Sequence, residues 1–427
     1  MSEDFLAWVW KHQQFKNIQL FTTEGHQIKI IDPGMINSDS GPDYFNSRII
    51  IDGIEWIGNV EIHNKSSEWY THRHHKDPAY DNVILHLIYK NDQPCFDSKN
   101  RMIPALELKE LIDPNTYSKY KRLVDPMKVI SCKEQLHLIN KVNITSWMDR
   151  LLVERLSVKV QRIEELHNSG IRSSADMLYH LLARNFGFGV NNEPFSMLAR
   201  TLHFNILQKH VDSPFQMESL LFGQSGLINH GYNDIYEKQL LKEYDHFRTK
   251  YDLEPMNNKV WKFMRMRPLN FPTIRLSQLA ALLAKIDQLN NHVLYEHEFD
   301  QLKSNLMVKA SPYWNERYRF GEAGLHVSKE LGKESVFNII INSICPFLFW
   351  MGKTSSNNVL IDKAFRYARS CPPENNKITR LWNKSSILIQ DGGDSQSAFH
   401  LVSNYCSKKK CLNCAWGTEI LANKWKG

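Results

Sequence analysis

The sequence lacks most of the features that would assign it quickly. Its one long apolar run, VFNIIINSICPFLFWM (336–351), is shorter than the roughly 20 residues a membrane helix needs and is interrupted by Asn338, Asn342 and Pro346. We therefore expect a buried helix ending near the proline, and no membrane partner. The N-terminus, MSEDFLAWVWKHQ, has no basic stretch followed by an apolar core, so it does not read as a secretory signal and the expected location is cytoplasmic. No GxxxxGK[ST] phosphate loop occurs, which argues against ATP-driven translocation by this chain. Internal repeats and low-complexity segments are missing too. Neither charge sign dominates: 53 Lys plus Arg against 46 Asp plus Glu leave a net +7. That balance permits a polyanionic partner without requiring one. Cysteine is scarce and odd in number, at seven. Without an export signal, free thiols or metal ligands are expected in place of disulfides.

What is present fits two regions. With 427 residues the chain can build two or three domains, each with its own core. Residues 1–130 read as an α/β domain: a helix over Phe5 to Phe15, a strand in HQIKIIDPG (26–34), a hairpin, and a strand in NVILHLIYKND (82–92). Residues 140–427 read as a mainly helical region with a Cys-containing C-terminal segment. In SWMDRLLVERLSVKVQRIEELHNSG, Met148, Leu152, Leu156, Val160 and Ile163 fall on one helical stripe, with Ser146 as N-cap and Gly170 as the stop. The basic stretch NTYSKYKRLVDPMK (115–128) reads as a linker or the edge of a groove.

The hairpin GPDYFNSRIIIDGIEWIGNVEIHNKSSEW (41–69) carries ionisable groups where strand residues should be half-buried. Asp52-Gly53 between isoleucine-rich runs predicts a two-residue type I′ turn. Pairing outward from Ile51 and Ile54 leaves Asp43 on the wrong face from Glu61 and His63. One extra residue in the second strand, a β-bulge near Gly58, brings Asp43 opposite His63 and diagonal to Glu61. Two converging carboxylates make a hard, oxygen-rich site suited to Mg²⁺ or Mn²⁺.

Gly-Pro-Asp, a hairpin, then Glu-Ile-His resembles the core of the PD-(D/E)XK nucleases. That resemblance implies a restriction-endonuclease-like mixed sheet with flanking helices. It also implies phosphodiester hydrolysis of nucleic acid by metal-activated water, with Asp43, Glu61 and the Ile62 carbonyl as metal ligands. His63 stands where the family has its lysine, and Lys65, two residues on, is the alternative cation. A histidine, with an ordinary pKa near 6.5, can ligate metal or act as a base but is a poor fixed positive charge. Three longer stretches also resemble an uncharacterised bacterial family, a domain of unknown function. They are GNVEIHNKSSEWYTHRHHKDPAYDNVILH, WKFMRMRPLNFPTIRLSQLA (261–280) and YCSKKKCLNCAWG (405–417), and the likeness covers nearly the whole chain.

Three further clusters stand out. THRHHKDPAYDNVILH holds His72, His74, His75, Asp77 and His86; His86 can point toward Glu61 if their strands are neighbours. The cluster reads either as a transition-metal site or as a solvated turn with one core histidine. Cys406-x4-Cys411-x2-Cys414 suits zinc or an iron–sulfur cluster, with Cys371 or His400 as the expected fourth ligand; reduced core thiols are the alternative. Arg265, Arg267 and Arg275, interleaved with aromatics and prolines, suit either nucleic-acid binding or a joint between helices.

The leading expectation is thus a metal-dependent nuclease, with DNA favoured over RNA. The alternatives are an inactive nucleic-acid-binding or scaffold protein on the same fold, and a His-dependent metallohydrolase of another substrate.

Overall fold

Asp52 and Gly53 both take positive φ, 46° and 83°, the left-handed pair that a type I′ turn requires. They join two strands of a mixed sheet in the computed structural model. It describes residues 1–16, 19–37, 39–228, 234–296, 298–385 and 387–422. The strands are β1 Leu20–Phe21, β2 Gln27–Asp32, β3 Met35–Ile36, β4 Tyr44–Ile51, β5 Ile54–Lys65, β6 Val83–Lys90 and β7 Ala105–Glu107. Their order is β1-β2-β4-β5-β6-β7, with β3 pairing β4. Pairing is antiparallel from β1 to β5 and parallel across β5, β6 and β7.

The bulge lies on the other strand from the one expected. Pairing is regular from Ile51–Ile54 to Ser47–Gly58, then Tyr44 pairs Val60, so the extra residue belongs to β4. Asn46 takes φ 54° there, a conformation asparagine tolerates better than most residues. Gly58 serves a different need, since a Cβ on it would sit 2.4 Å from Ile84 Cγ2 and 2.7 Å from the Asn82 carbonyl.

Helix α1, Glu3–Lys11, buries Phe5, Leu6, Trp8, Val9 and Trp10. It is tied to the sheet by Tyr44 Oη donating to the Ala7 carbonyl at 3.0 Å and Trp10 Nε1 to the Pro33 carbonyl at 2.9 Å. The crossover from β5 to β6 contains the single helical turn α2, Glu68–Thr71, and two short 3₁₀ turns, His74–Lys76 and Pro78–Tyr80.

The chain forms two units, Met1–Trp147 with Leu401–Gly427, and Met148–His400. The Cys-containing tail therefore joins the first unit, where the Glu419 carboxylate accepts from Asn140 N–H and Asn143 Nδ2 at 3.2 and 2.9 Å. The second unit is mostly helical. The stripe from Met148 to Ile163 is buried as its spacing predicts, on a helix that starts earlier than expected, at Lys141, and runs to Asn168.

The apolar run around Pro346 does not end its helix there. Lys333–Thr354 is the one helix among the described residues long and apolar enough to cross a membrane, and most of it is buried inside the fold. A π-turn at Ile340–Ile344 precedes the proline. Proline offers no N–H to the preceding turn; Lys159 Nζ donates to the Ile341 carbonyl there at 3.1 Å, and also to the Asn342 side-chain Oδ1 at 2.8 Å.

Candidate metal centre

The bulge in β4 decides the geometry. Continued by one residue, the Tyr44–Val60 register sets Asp43 opposite Glu61. Asp43 N–H donates to Glu61 Oε2 at 3.1 Å, and Ile62 N–H donates to Asp43 Oδ2 at 2.9 Å. Asp43 is not opposite His63, as the β5 bulge would have had it. Ile62 joins the site through this N–H.

Two imidazoles lie beside the Glu61 carboxylate, and a third joins them through His63. His74 Nε2 lies 3.2 Å and His63 Nε2 3.6 Å from Glu61 Oε1, and His63 Nε2 is 3.0 Å from His72 Nδ1. Ligand atoms of His63, His72 and His74 all fall within 4.8 Å of one another. The local chain explains this convergence. Alternation along β5 puts Glu61 and His63 on one face. After α2, Arg73 takes φ 65°, a left-handed helix end that separates His72 from His74. His74 is clamped by Tyr80, stacked at 3.8 Å between centroids, and by the edge of Trp69 at 5.2 Å.

His86, directly across the parallel pair from Glu61, stands behind His63: its Nε2 is 2.8 Å from His63 Nδ1. It is a positioning partner of His63, since that contact leaves His63 Nε2 facing Glu61 and His72. His86 Nδ1 is buried without a hydrogen-bond partner, and His74 Nε2 meets Glu61 Oε1 at 3.2 Å without hydrogen-bond geometry; buried polar atoms in that state need an explanation. Lys65 ends β5 exposed, near enough to Asp92 to help lower its carboxyl. It lies outside the buried cluster.

Electrostatics follow from burial. Desolvation and then the Glu61 charge push the Asp43 carboxyl up to about 7. Burial, reinforced by neighbouring imidazoles, holds His63 and His86 well below the usual imidazole range, so both are neutral. Glu3 of α1 is raised by burial and by Glu68, with Glu61 adding to the effect. Sequence reasoning missed Glu3, Glu68 and Trp69. The Glu68 carboxylate accepts from Asn64 and Lys65 N–H at 2.9 and 3.1 Å, fixing the crossover, and no spacing rule marks such a group.

The other predicted residues separate. Arg275 is buried: it donates to Gln278 Oε1 at 2.8 Å and Asn270 Oδ1 at 2.6 Å, and stacks on Phe188 at 4.2 Å. It braces the start of a helix, Pro272–Leu283, and is not available to a phosphate. Arg265 and Arg267 of the same unit are exposed. The expected fourth ligands of the cysteine cluster, Cys371 and His400, belong to the second unit, whereas Cys406, Cys411 and Cys414 belong to the first. His400 instead pairs with Glu154 at 3.2 Å, and the Cys371 carbonyl accepts from Gly392 N–H at 2.8 Å. The cysteine that shares a cavity with the three is Cys132.

The first unit is thus a mixed-sheet α/β domain with a carboxylate–histidine cluster at its central strand pair. Residues 3–377 match the family described as "Protein of unknown function (DUF2851)", and the chain belongs to that family. Searches of curated proteins and of solved structures find no match.

Proposed function

We propose that this protein is a metal-dependent phosphodiesterase acting on nucleic acid, with DNA as the favoured substrate. The observation that carries the reading is the meeting of Asp43, Glu61 and His63 at the sheet with buried His74 and exposed His72 of the crossover. The PD-(D/E)XK resemblance supports it through the acidic pair and the mixed sheet, and departs from it at His63.

The donor set tests which metal fits. One carboxylate oxygen and three imidazole nitrogens suit Zn²⁺ or Mn²⁺, whereas Mg²⁺ keeps to oxygen ligands and water. Glu61, His63, His72 and His74 would hold the ion. When bound, such an ion supplies Lewis acidity and a more acidic water. The rest of the chemistry falls to the chain. Asp43, with its carboxyl near 7, is tuned to take a proton from water at neutral pH. His86 fixes the His63 ring. In the hydrolysis, water oxygen bonds to phosphorus, one P–O ester bond breaks, and the leaving oxygen takes a proton.

A second reading, a metallohydrolase of a less charged substrate, draws on the surroundings. The charges acting on Asp43 and Glu3 come from carboxylates and histidines, a setting that opposes a polyanion until a cation is bound.

Purified protein incubated with single- and double-stranded DNA and RNA, in Mn²⁺, Zn²⁺, Mg²⁺ or EDTA, tests the proposal. Cleavage in Mn²⁺ or Zn²⁺, abolished by EDTA and by Glu61→Ala, is the expected result. Nucleic acid left intact while a small ester or amide is cleaved would favour the second reading. Nucleic-acid binding without cleavage, unchanged in Glu61→Ala, would leave a binding or scaffold protein.

A further inference from the structure

Cys132, Cys406, Cys411 and Cys414 line one cavity of about 20 Å³, walled otherwise by residues such as Leu123 and Val129. None of the four is in a disulfide. Cys132 is remote in the chain from the other three, and specific local structure brings them together. Cys406 closes a π-turn, Val402–Cys406. Cys411 opens a 3₁₀ turn, Cys411–Asn413, and Cys414 leads into the helix Ala415–Ala422. That helix presses on the Cys411 backbone through Gly417, where a Cβ would lie 2.1 Å from the Cys411 carbonyl oxygen. Lys409 reaches across, donating to the Lys128 carbonyl and to Ser131 Oγ. It thereby anchors the segment that carries Cys132 beside the loop that carries Cys411.

We propose that these four cysteines form a tetrathiolate metal site, occupied by Zn²⁺ or an iron–sulfur cluster, that fastens the C-terminal segment to the Cys132 loop. Both occupants are held by four thiolates, all on one ion for zinc and spread over the irons for a cluster. The C-x4-C-x2-C spacing occurs in plant-type iron–sulfur proteins, whose remote cysteine follows the run where Cys132 precedes it, and zinc sites also accept C-x2–4-C pairs. Burial pushes the Cys132 thiol up to about 12 and the Cys411 thiol to about 11, with the neighbouring cysteines adding to the effect. Without a cation these two thiols keep their protons, and metal binding must release them. The remote position of Cys132, in one unit with the others, gives the site a structural role: it closes a very long loop, where a cross-link constrains the unfolded chain most.

The test uses the full-length protein purified without oxygen, then offered Zn²⁺ or iron with sulfide. Metal and acid-labile sulfide are measured alongside the visible spectrum. Expected in Glu61→Ala, which removes the other zinc-binding centre, is either about one zinc per chain and no colour, or iron with matching sulfide and visible absorption. Cys132→Ala and Cys414→Ala should lose that metal; Cys371→Ala and Glu61→Ala should keep it. If Cys132→Ala fails to fold, alkylation of the wild type decides. Protection of the four thiols that a chelator removes supports the site, and equal labelling with and without chelator overturns it. Failure to take up either metal, or its loss in Cys371→Ala but not in Cys132→Ala, also overturns it. None of these outcomes bears on the histidine cluster, whose ligands are different residues.

Discussion

Asp43 faces Glu61 because β4 carries one residue more than its partner. The N–H of one residue reaches the carboxylate of the other at 3.1 Å, and Asn46, at φ 54°, is the residue that makes room. The bulge should behave as a register device. Asn46→Val places a β-branched side chain in a left-handed conformation and should cost about 1–2 kcal/mol, while Asn46→Gly should be close to neutral. Deleting Asn46 closes the bulge yet keeps Tyr44 opposite Val60 and Asp43 opposite Glu61, so metal binding should survive. Denaturant melts, read beside metal titrations, check each. A deletion variant that folds but no longer binds metal would contradict this register.

His86 acts on the site through His63, 2.8 Å away. Partners of this kind set the tautomer and angle of a ligating ring, and losing one commonly weakens metal binding about 10–100-fold. We predict a loss of that size for His86→Asn, measured by calorimetric titration, against near-complete loss for His63→Ala or His74→Ala. Equal affinity in His86→Asn and wild type would remove His86 from the site.

Acid sensitivity of the metal-free protein follows from the same burial. His63 and His86 are held below their ordinary range, so below about 6.5 the unfolded chain takes up two protons that the fold declines. Stability from these groups falls as pH falls. Asp43 works the other way: it keeps its proton up to about 7 in the fold, so its contribution fades as pH rises from about 4 to 7. Two histidines against one carboxyl leave a net loss on acidification from about 6.5 to 4. Melting temperatures in EDTA should drop between pH 7.5 and 5, and by less in His86→Leu. A larger drop in the variant would contradict this assignment.

Local chemistry was legible in the sequence, and long-range placement was not. Asp52-Gly53 announced its turn, and the stripe from Met148 to Ile163 announced its buried face. The acidic pair was visible as well. Which strand held the bulge was not, because Gly58 and Asn46 both permit one; packing of Ile84 on Gly58 explains the glycine without it. The histidines of the crossover could be counted, but their meeting at Glu61 depends on Arg73 in a left-handed conformation, which favours no arginine in advance. Cys132 went unnoticed for a similar reason: it lies far from Cys406 in the chain, and only the return of the tail to the first unit joins them. Pro346 was read as a helix end, and the π-turn before it, supported by Lys159, carries the helix through.

The most direct test of the histidine–carboxylate centre is Mn²⁺ binding followed by electron paramagnetic resonance, because Mn²⁺ prefers oxygen and nitrogen ligands to the thiolates of the cysteine cluster. The account predicts one bound Mn²⁺ per chain in the wild type and in Cys132→Ala, lost in Glu61→Gln and in the His72→Ala, His74→Ala double variant. Mn²⁺ that does not bind, or that binds equally well without the Glu61 carboxylate, would contradict it.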